Sequence, residues 1–205
     1  MILAIDSSIG TSVALADGDG RLLATAGETD HLSHAEVIGT LIRRVLDEAD
    51  AAPADVSAVA SGMGPGPFTG LRIGIAAARA FAVARGLPVI PVVSHDAVAA
   101  EFLESGVSRD LVVVTDARRR EVAWSRYAAA SGSRAPVRAV GPLLAARESF
   151  TVEDADRVDA VEVSAAHIAL LAAMTLSGER ASDADEPVYL RAPDVTLSTR
   201  KKVSQ

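Results

Sequence analysis

The sequence predicts an α/β protein of two lobes, each opened by a short apolar strand that ends in aspartate. Three observations carry this reading. Ile2, Leu3, Ala4 and Ile5 run into Asp6, and the run from Leu111 to Thr115 meets Asp116 in the same way. A further strand candidate follows each of these starts. Between residues 26 and 34 the apolar period changes from the alternation of strands to the three- and four-residue steps of a helix. The chain has 205 residues, is 49% hydrophobic and 23% charged, and has a mean hydropathy of +0.26, which is ample material for a packed core.

In order, the strand ending at Asp6 is followed by a second over residues 11 to 16. A turn at Asp17, Gly18, Asp19 and Gly20 leads to a third over residues 21 to 26, giving three antiparallel strands. Residues 34 to 50 form an amphipathic helix with a wide apolar face of Val37, Ile38, Leu41, Ile42, Val45, Leu46 and Ala49. Asp30 or Ser33 is its candidate cap, and Pro53 lies just past its end. A buried strand over residues 56 to 61 runs into a loop with four glycines and two prolines among residues 62 to 70. The helix after it, over residues 71 to 85, stops at Gly86, the position where a left-handed residue closes a helix.

A strand over residues 87 to 93 comes next, with Ser94 as cap of a short helix reaching about Glu104. The second aspartate-ended strand pairs with residues 121 to 127 across the charged turn Ala117, Arg118, Arg119, Arg120. A boundary falls between residues 94 and 110, dividing an N-terminal lobe (1–100) from a C-terminal lobe (101–205). From Ser131 to Ser164 the pattern is weak. A helix over residues 164 to 176, an extended segment at 188 to 191 and a polar tail from about 196, expected to be mobile, complete the chain.

Composition excludes several classes of chemistry. There are no cysteines, so disulfides, thiolate nucleophiles and cysteine-ligated zinc or iron-sulfur sites are ruled out. The lysines are Lys201 and Lys202, so no phosphate-gripping P-loop lysine exists, and neither a G-x-S-x-G elbow nor an H-E-x-x-H pair occurs. A net charge of −7 argues against autonomous binding to nucleic acid. No apolar run is long enough to span a bilayer, and the early carboxylate of Asp6 does not suit a secretory leader, so the expected location is the cytoplasm without a membrane.

Three candidate sites stand out. Asp6, Ser7 and Ser8 form a hydroxyl-rich turn of the phosphate-facing kind, and Asp6 and Asp116 both sit at strand ends, where a carboxylate reaches into a cleft; capping the next turn is the alternative. The glycine-rich loop either brings backbone amides to a helix N-terminus that attracts anions or makes a tight connection. The helix after it carries Gly70, Gly74 and Ala78 at four-residue spacing, with Ile75 beside them. With Ile38, Leu41, Ile42 and Val45 of the earlier helix, they form a candidate protein-protein interface; two internal helices are the alternative. His31 and His34 have metal-ligand spacing but lack a third ligand, and His95 and His167 read as structural.

Taken together, the Asp6-Ser7-Ser8 segment, His34-Ala35-Glu36, the Gly64-Pro65-Gly66-Pro67-Phe68-Thr69-Gly70-Leu71-Arg72-Ile73-Gly74 block, Asp116-Ala117-Arg118-Arg119 with Glu121-Val122, and Pro187-Val188-Tyr189-Leu190-Arg191 resemble the bacterial TsaB (YeaZ) family. The matches run in order over nearly the whole chain; Pro67 stands where many members carry serine.

The resemblance implies an actin-like ATPase (ribonuclease H-like) fold with two lobes, each a mixed sheet with flanking helices, the C-terminal lobe shortened. It implies a non-catalytic scaffold or activator in forming N6-threonylcarbamoyladenosine at position 37 of tRNAs that read codons beginning with A. Its implied partners are the catalytic paralogue TsaD, forming a heterodimer, and the ATPase TsaE, with a homodimer through the same helices as another use of that face. Nucleotide (ATP/ADP), metal and tRNA would be reached through those partners, leaving Asp6, Ser7, Ser8 and Asp116 as a vestigial nucleotide region. The rival readings are an actin-like ATPase or phosphotransferase, which needs a late Gly-Gly pair that is missing, and a metallopeptidase on His31 and His34.

Overall fold

The computed structural model describes residues 1–28, 34–104, 106, 109–129 and 135–191, without the side chain of His34. The candidate caps Asp30 and Ser33 and the tail from 196 lie outside these residues. Nine strands and four α-helices are formed among the described residues. Strands β1 (Ile2–Asp6), β2 (Thr11–Ala16) and β3 (Leu22–Glu28) make the expected antiparallel meander. Strands β4 (Ala58–Gly62) and β5 (Val89–Val92) extend it in parallel, giving the order β3-β2-β1-β4-β5. The second sheet has the order β8-β7-β6-β9, from β6 (Leu111–Asp116), β7 (Glu121–Tyr127), β8 (Arg138–Ala146) and β9 (Asp156–Asp159).

Because β1 is central and covered on both faces, it is apolar at every position before Asp6 rather than alternating, and all five residues are buried. Leu3 and Ile5 face one layer, where α1 (His34–Glu48) lays down Ile38, Leu41 and Val45 and α2 (Phe68–Arg85) lays down Ala78 and Ala82. Burying a side chain such as Leu41 or Val45 contributes about 1.5–3 kcal/mol. Ile2 and Ala4 face the other layer, against Ile168, Leu171 and Ala172 of α4 (Ala165–Ser177). That layer continues through α3 (Ser94–Glu104) to Leu111, Val113 and Tyr127 of the second sheet, so one core joins the two sheets.

Element ends shift by a few residues, as at α2, which begins at Phe68 and not at 71, and two larger features differ from the sequence reading. The expected C-terminal lobe does not keep its own helix: α4 crosses back to cover the first sheet, and Ser12 of β2 accepts a hydrogen bond from its first amide, Ala165 N, at 3.1 Å. A helix this apolar has to lie between layers, and the small faces of β1 and β2 provide the room. The weak stretch after Ser131 contains β8 and β9.

The layers are fastened by polar groups at the start of α3. Asp96, 2% exposed, accepts hydrogen bonds from Tyr127 Oη at 2.7 Å, Arg138 Nε at 2.9 Å and Arg180 at 2.8 Å. Asp183 accepts from the Val93 amide and pairs with Arg138 and Arg180. Burial pushes the Asp96 carboxyl up, with Arg138 opposing.

His95 is wholly buried, hydrogen-bonded to Ser125 Oγ at 2.9 Å and Thr115 Oγ1 at 3.0 Å. Burial, and secondarily the charge of Arg138, lowers its pKa to about 3. Between that value and the unfolded value of about 6.5, the unfolded chain binds a proton that the native chain refuses, so His95 costs stability as pH falls through this window. The melting temperature of the wild type is expected to drop between pH 7 and pH 4 more steeply than that of His95→Gln. Asp96, whose raised pKa acts in the opposite sense, is common to both proteins. Parallel pH dependences in the two series of melts would refute the assignment.

Candidate functional site

The turn after β1 is enclosed. Asp6, Ser7 and Ser8 are each 1% exposed, tucked beneath the loop that joins β4 to α2. Asp6 Oδ1 accepts the Ser8 amide at 2.8 Å and the Ser8 hydroxyl at 2.6 Å, while Oδ2 accepts the Ser94 hydroxyl at 2.5 Å. Ser94 Oγ in turn accepts the amide of Gly64 at 3.0 Å. Ser94 is therefore not the simple helix cap that its position suggested; it joins the loop to Asp6.

Ser7 is spliced into the first turns of α2. Its hydroxyl donates to the Gly70 carbonyl at 2.7 Å and accepts the Gly74 amide at 3.0 Å, standing between the two groups that a helix pairs directly. The glycines make this approach possible. A Cβ on Gly62 would collide with the Asp6 carboxylate and one on Gly74 with the Ser7 hydroxyl, and one on Gly66 would lie 2.7 Å from Ser8 Cα. Of the two readings of the loop, close packing accounts for Gly62 and Gly66, and the same holds for Gly74 within α2. Gly64, at φ +90°, adds a backbone conformation that other residues rarely adopt.

In front of this turn lies a cleft of about 730 Å³ between the lobes. Pro65 to Gly70 form one wall, Thr115 to Arg119 the other, and the segment Val188 to Arg191 lines its edge. Asp116 lines the cleft but is exposed and paired with Arg147, whereas Asp6 is sealed behind Ser8 and Ser94. The two strand-end carboxylates therefore do not form an open pair. Arg118, Arg119 and Arg120 are exposed, and all three have left-handed backbones, with φ of 60°, 53° and 59°. For residues bearing a side chain this costs roughly 1–2 kcal/mol each, a feature that their reading as a plain charged turn did not contain.

The proposed interface residues need correction. Ile38, Leu41 and Val45 are 5%, 7% and 0% exposed, and Ile42 is half-buried against the same core. Gly70, Gly74, Ile75 and Ala78 are buried as well. The small-residue stripe faces Ser7 and the first sheet, so the internal alternative holds for these side chains. Spacing identifies a face that permits close approach but not which neighbour approaches.

The outward face of α2 is a different set that sequence reasoning passed over: Arg72, Ala76, Arg79, Ala80 and Val83, the last 82% exposed. Its signal was present in the same helical period, since a helix apolar all round has an outer apolar face too. Among the described residues no group of three or more His, Asp or Glu side chains is placed to hold a metal. His31 and the side chain of His34 lie outside the described residues, and His167 sits 3.4 Å from Glu104. No helix among the described residues is long and apolar enough to cross a membrane.

A five-stranded mixed sheet in the order β3-β2-β1-β4-β5, facing a second mixed sheet across a cleft, defines an α/β protein of the actin-like ATPase class. Residues 28–141 match the family model described as TsaD, tRNA N6-adenosine threonylcarbamoyltransferase. The chain is 36% identical to an uncharacterized protein of Mycobacterium tuberculosis over 211 aligned positions, 94% of this chain and 92% of that one. It is 37% identical to the tRNA threonylcarbamoyladenosine biosynthesis protein TsaB of Escherichia coli over 128 positions, 62% of this chain and 54% of that protein. A crystal structure from Pseudomonas aeruginosa, described by its similarity to the peptidase YeaZ, superposes with a TM-score of 0.78 at 26% identity, covering 93% of this chain and 99% of that one. The chain belongs to the TsaB (YeaZ) family of tRNA threonylcarbamoyladenosine biosynthesis proteins, relatives of TsaD.

The Ser7 splice is open to a direct test. Gly74→Ala introduces a methyl group where the Ser7 hydroxyl lies, an overpacking expected to cost about 1–3 kcal/mol and to lower the melting temperature by roughly 3–10 °C. Combined with Ser7→Gly, the loss should be clearly smaller than the sum of the two single changes. Additive losses, or a Gly74→Ala chain that melts like the wild type, would remove the splice as the reason for the glycine.

Proposed function

We propose that this chain is a non-catalytic partner subunit in the formation of N6-threonylcarbamoyladenosine in tRNA, working through a TsaD-type catalytic paralogue. The observation that carries this reading is the sequestration of Asp6. In an actin-like phosphotransferase the carboxylate at this strand end has to meet a metal-bound phosphate or a water, and here its oxygens are engaged by Ser8 and Ser94 at 1% exposure. Freeing it would strip a buried carboxylate of its donors, at a cost above that of an ordinary hydrogen bond. Family membership supplies the pathway, and the closed turn favours a role other than turnover. Nucleotide and metal then belong to the partner subunits, TsaE among them.

The surface assigned to the partner moves from the buried stripe to the outer faces of the same two helices. On α2 this is Ala76, Ala80 and Val83 beside Arg72 and Arg79; on α1 it includes Gly39, Thr40 and Arg43, all exposed. Small side chains there let another helix approach closely without removing anything from this chain's own core. A homodimer through the same face would compete with the heterodimer.

Two outcomes are expected. The purified chain alone neither hydrolyses ATP nor modifies tRNA, and its net charge of −7 leaves free tRNA bound weakly at most; turnover that survives purification to homogeneity would refute the non-catalytic reading. Ala76→Arg and Ala80→Arg should melt close to the wild type yet lose about tenfold or more in affinity for the paralogue, the equivalent of ~1.4 kcal/mol, by calorimetry or pull-down. Retained affinity in both variants would move the contact elsewhere.

A further inference from the structure

We propose that residues 183–191 are a latch over the interlobe cleft, held shut by Val188 against the Met63 loop together with the two arginines on the outer face of α2, and loosened when that face is occupied. The latch hangs from a fixed point. Asp183 is fastened inside the molecule by Arg138, Arg180 and the Val93 amide. Beyond it the chain runs along the outside of α2. Asp185 accepts from Arg79 through its carboxylate at 2.8 Å and through its carbonyl at 3.2 Å. Tyr189 accepts at its hydroxyl from Arg72 Nε at 2.8 Å and stacks on Phe68 with ring centroids 5.0 Å apart. The Arg72 guanidinium lies 3.7 Å from the Phe68 ring centre. The segment then crosses to the other lobe, where Arg191 pairs with Glu121 and reaches the Arg118 carbonyl at 3.4 Å. Val188 to Arg191 line the cleft.

The contacts along this segment differ in strength. Those of Asp183 are largely buried and Val188 is tied to the buried Met63, whereas the Arg79–Asp185 pair is about half exposed and the Arg191–Glu121 pair about one-third exposed. Exposed pairs and ring contacts of this kind each contribute little. Arg72 and Arg79 run along one edge of the stripe Ala76, Ala80 and Val83, so an occupant of that stripe competes for guanidinium groups that help to hold the latch. Occupation outside the cleft is thereby converted into access to the cleft. The coupling rests on the proposed partner surface; the latch itself does not.

The absence of cysteine gives a clean probe. Ala123 lines the cleft and is 3% exposed. In an Ala123→Cys chain, the rate of reaction with a small maleimide reports opening. Adding Asp185→Ala should raise that rate by up to about fivefold, and Tyr189→Ala, or Arg72→Ala with Arg79→Ala, which remove two or more contacts, by roughly five- to thirtyfold. Tyr189→Phe, which keeps the ring and loses only the hydroxyl, should give a smaller rise and guards against a misfolded Tyr189→Ala chain. Unchanged rates across folded variants would overturn the latch. In a second arm the TsaD-type paralogue is added and its binding measured separately. Binding with faster labelling supports the coupling, and binding without it overturns the coupling. No binding counts against the proposed partner, and the variant arm then decides the latch.

Discussion

A turn of three residues clamped beneath a glycine loop holds the N-terminal half of this molecule in place. Asp6, Ser7 and Ser8 each contribute to a different neighbour: the carboxylate ties the turn to Ser94 at the head of α3, the Ser7 hydroxyl enters the backbone of α2, and Ser8 fills the hollow above Gly66. The central strand, two helices and the loop are thus fixed at one point by hydrogen bonds shielded from water, where each is worth more than at the surface. The same shielding has a chemical consequence. As the hub of a buried network, the carboxylate of Asp6 is not open to a phosphate in this arrangement, which is the ground of the proposed non-catalytic role.

A second buried hub, Asp96, stands where the lobes meet. It receives a tyrosine from β7, an arginine from the adjacent β8 and a second arginine from the segment after α4. Removing one partner from such a cluster would leave a desolvated charge, commonly about 3–5 kcal/mol of destabilisation. Inter-lobe motion of the kind that opens and closes an actin-like ATPase would strain this cluster together with the core that runs through α3 and α4. The segment after Asp183 is held more lightly, by surface pairs to Arg79 and Arg72 and by the single backbone bond of Val188 to Met63, which is why the proposed opening is assigned to it.

Much of the fold was legible because its signals are local. The aspartate-ended strands, the meander, the helix stop at Gly86 and the helix near residue 165 each depend on a few neighbouring residues whose pattern admits few alternatives. β8 and β9 were not legible for an equally physical reason. β8 lies at a sheet edge, is interrupted by Gly141 and Pro142, and shows no clean alternation of burial; β9 is Asp-Arg-Val-Asp, too short and polar to resemble a strand before its partner β6 is known. The return of α4 to the first sheet is a long-range choice that no local pattern encodes. At the site, the block from Gly62 to Gly74 was correctly singled out, and its meaning was only half visible. Glycine spacing announces that something comes close; that it is Ser7, 67 positions away from Gly74, belongs to the tertiary structure.

The error at α2 and its correction share one cause. A helix whose inner and outer faces are both built from small residues gives the same periodic signal on either side, and the inner face was taken for the outer. The chain has satisfied the inner face itself, with Ser7 and the first sheet. What is left outside is Ala76, Ala80 and Val83, a modest apolar area bounded by arginines already engaged by Tyr189 and Asp185. Methyl groups of alanine expose too little apolar surface to make the free chain insoluble, yet they let a second backbone come close. Such a face suits docking that forms and dissolves, as opposed to the large apolar contacts of chains that never separate. Since the flanking arginines already have partners, docking there has to displace existing contacts as it makes new ones, and those contacts lead directly to the edge of the cleft.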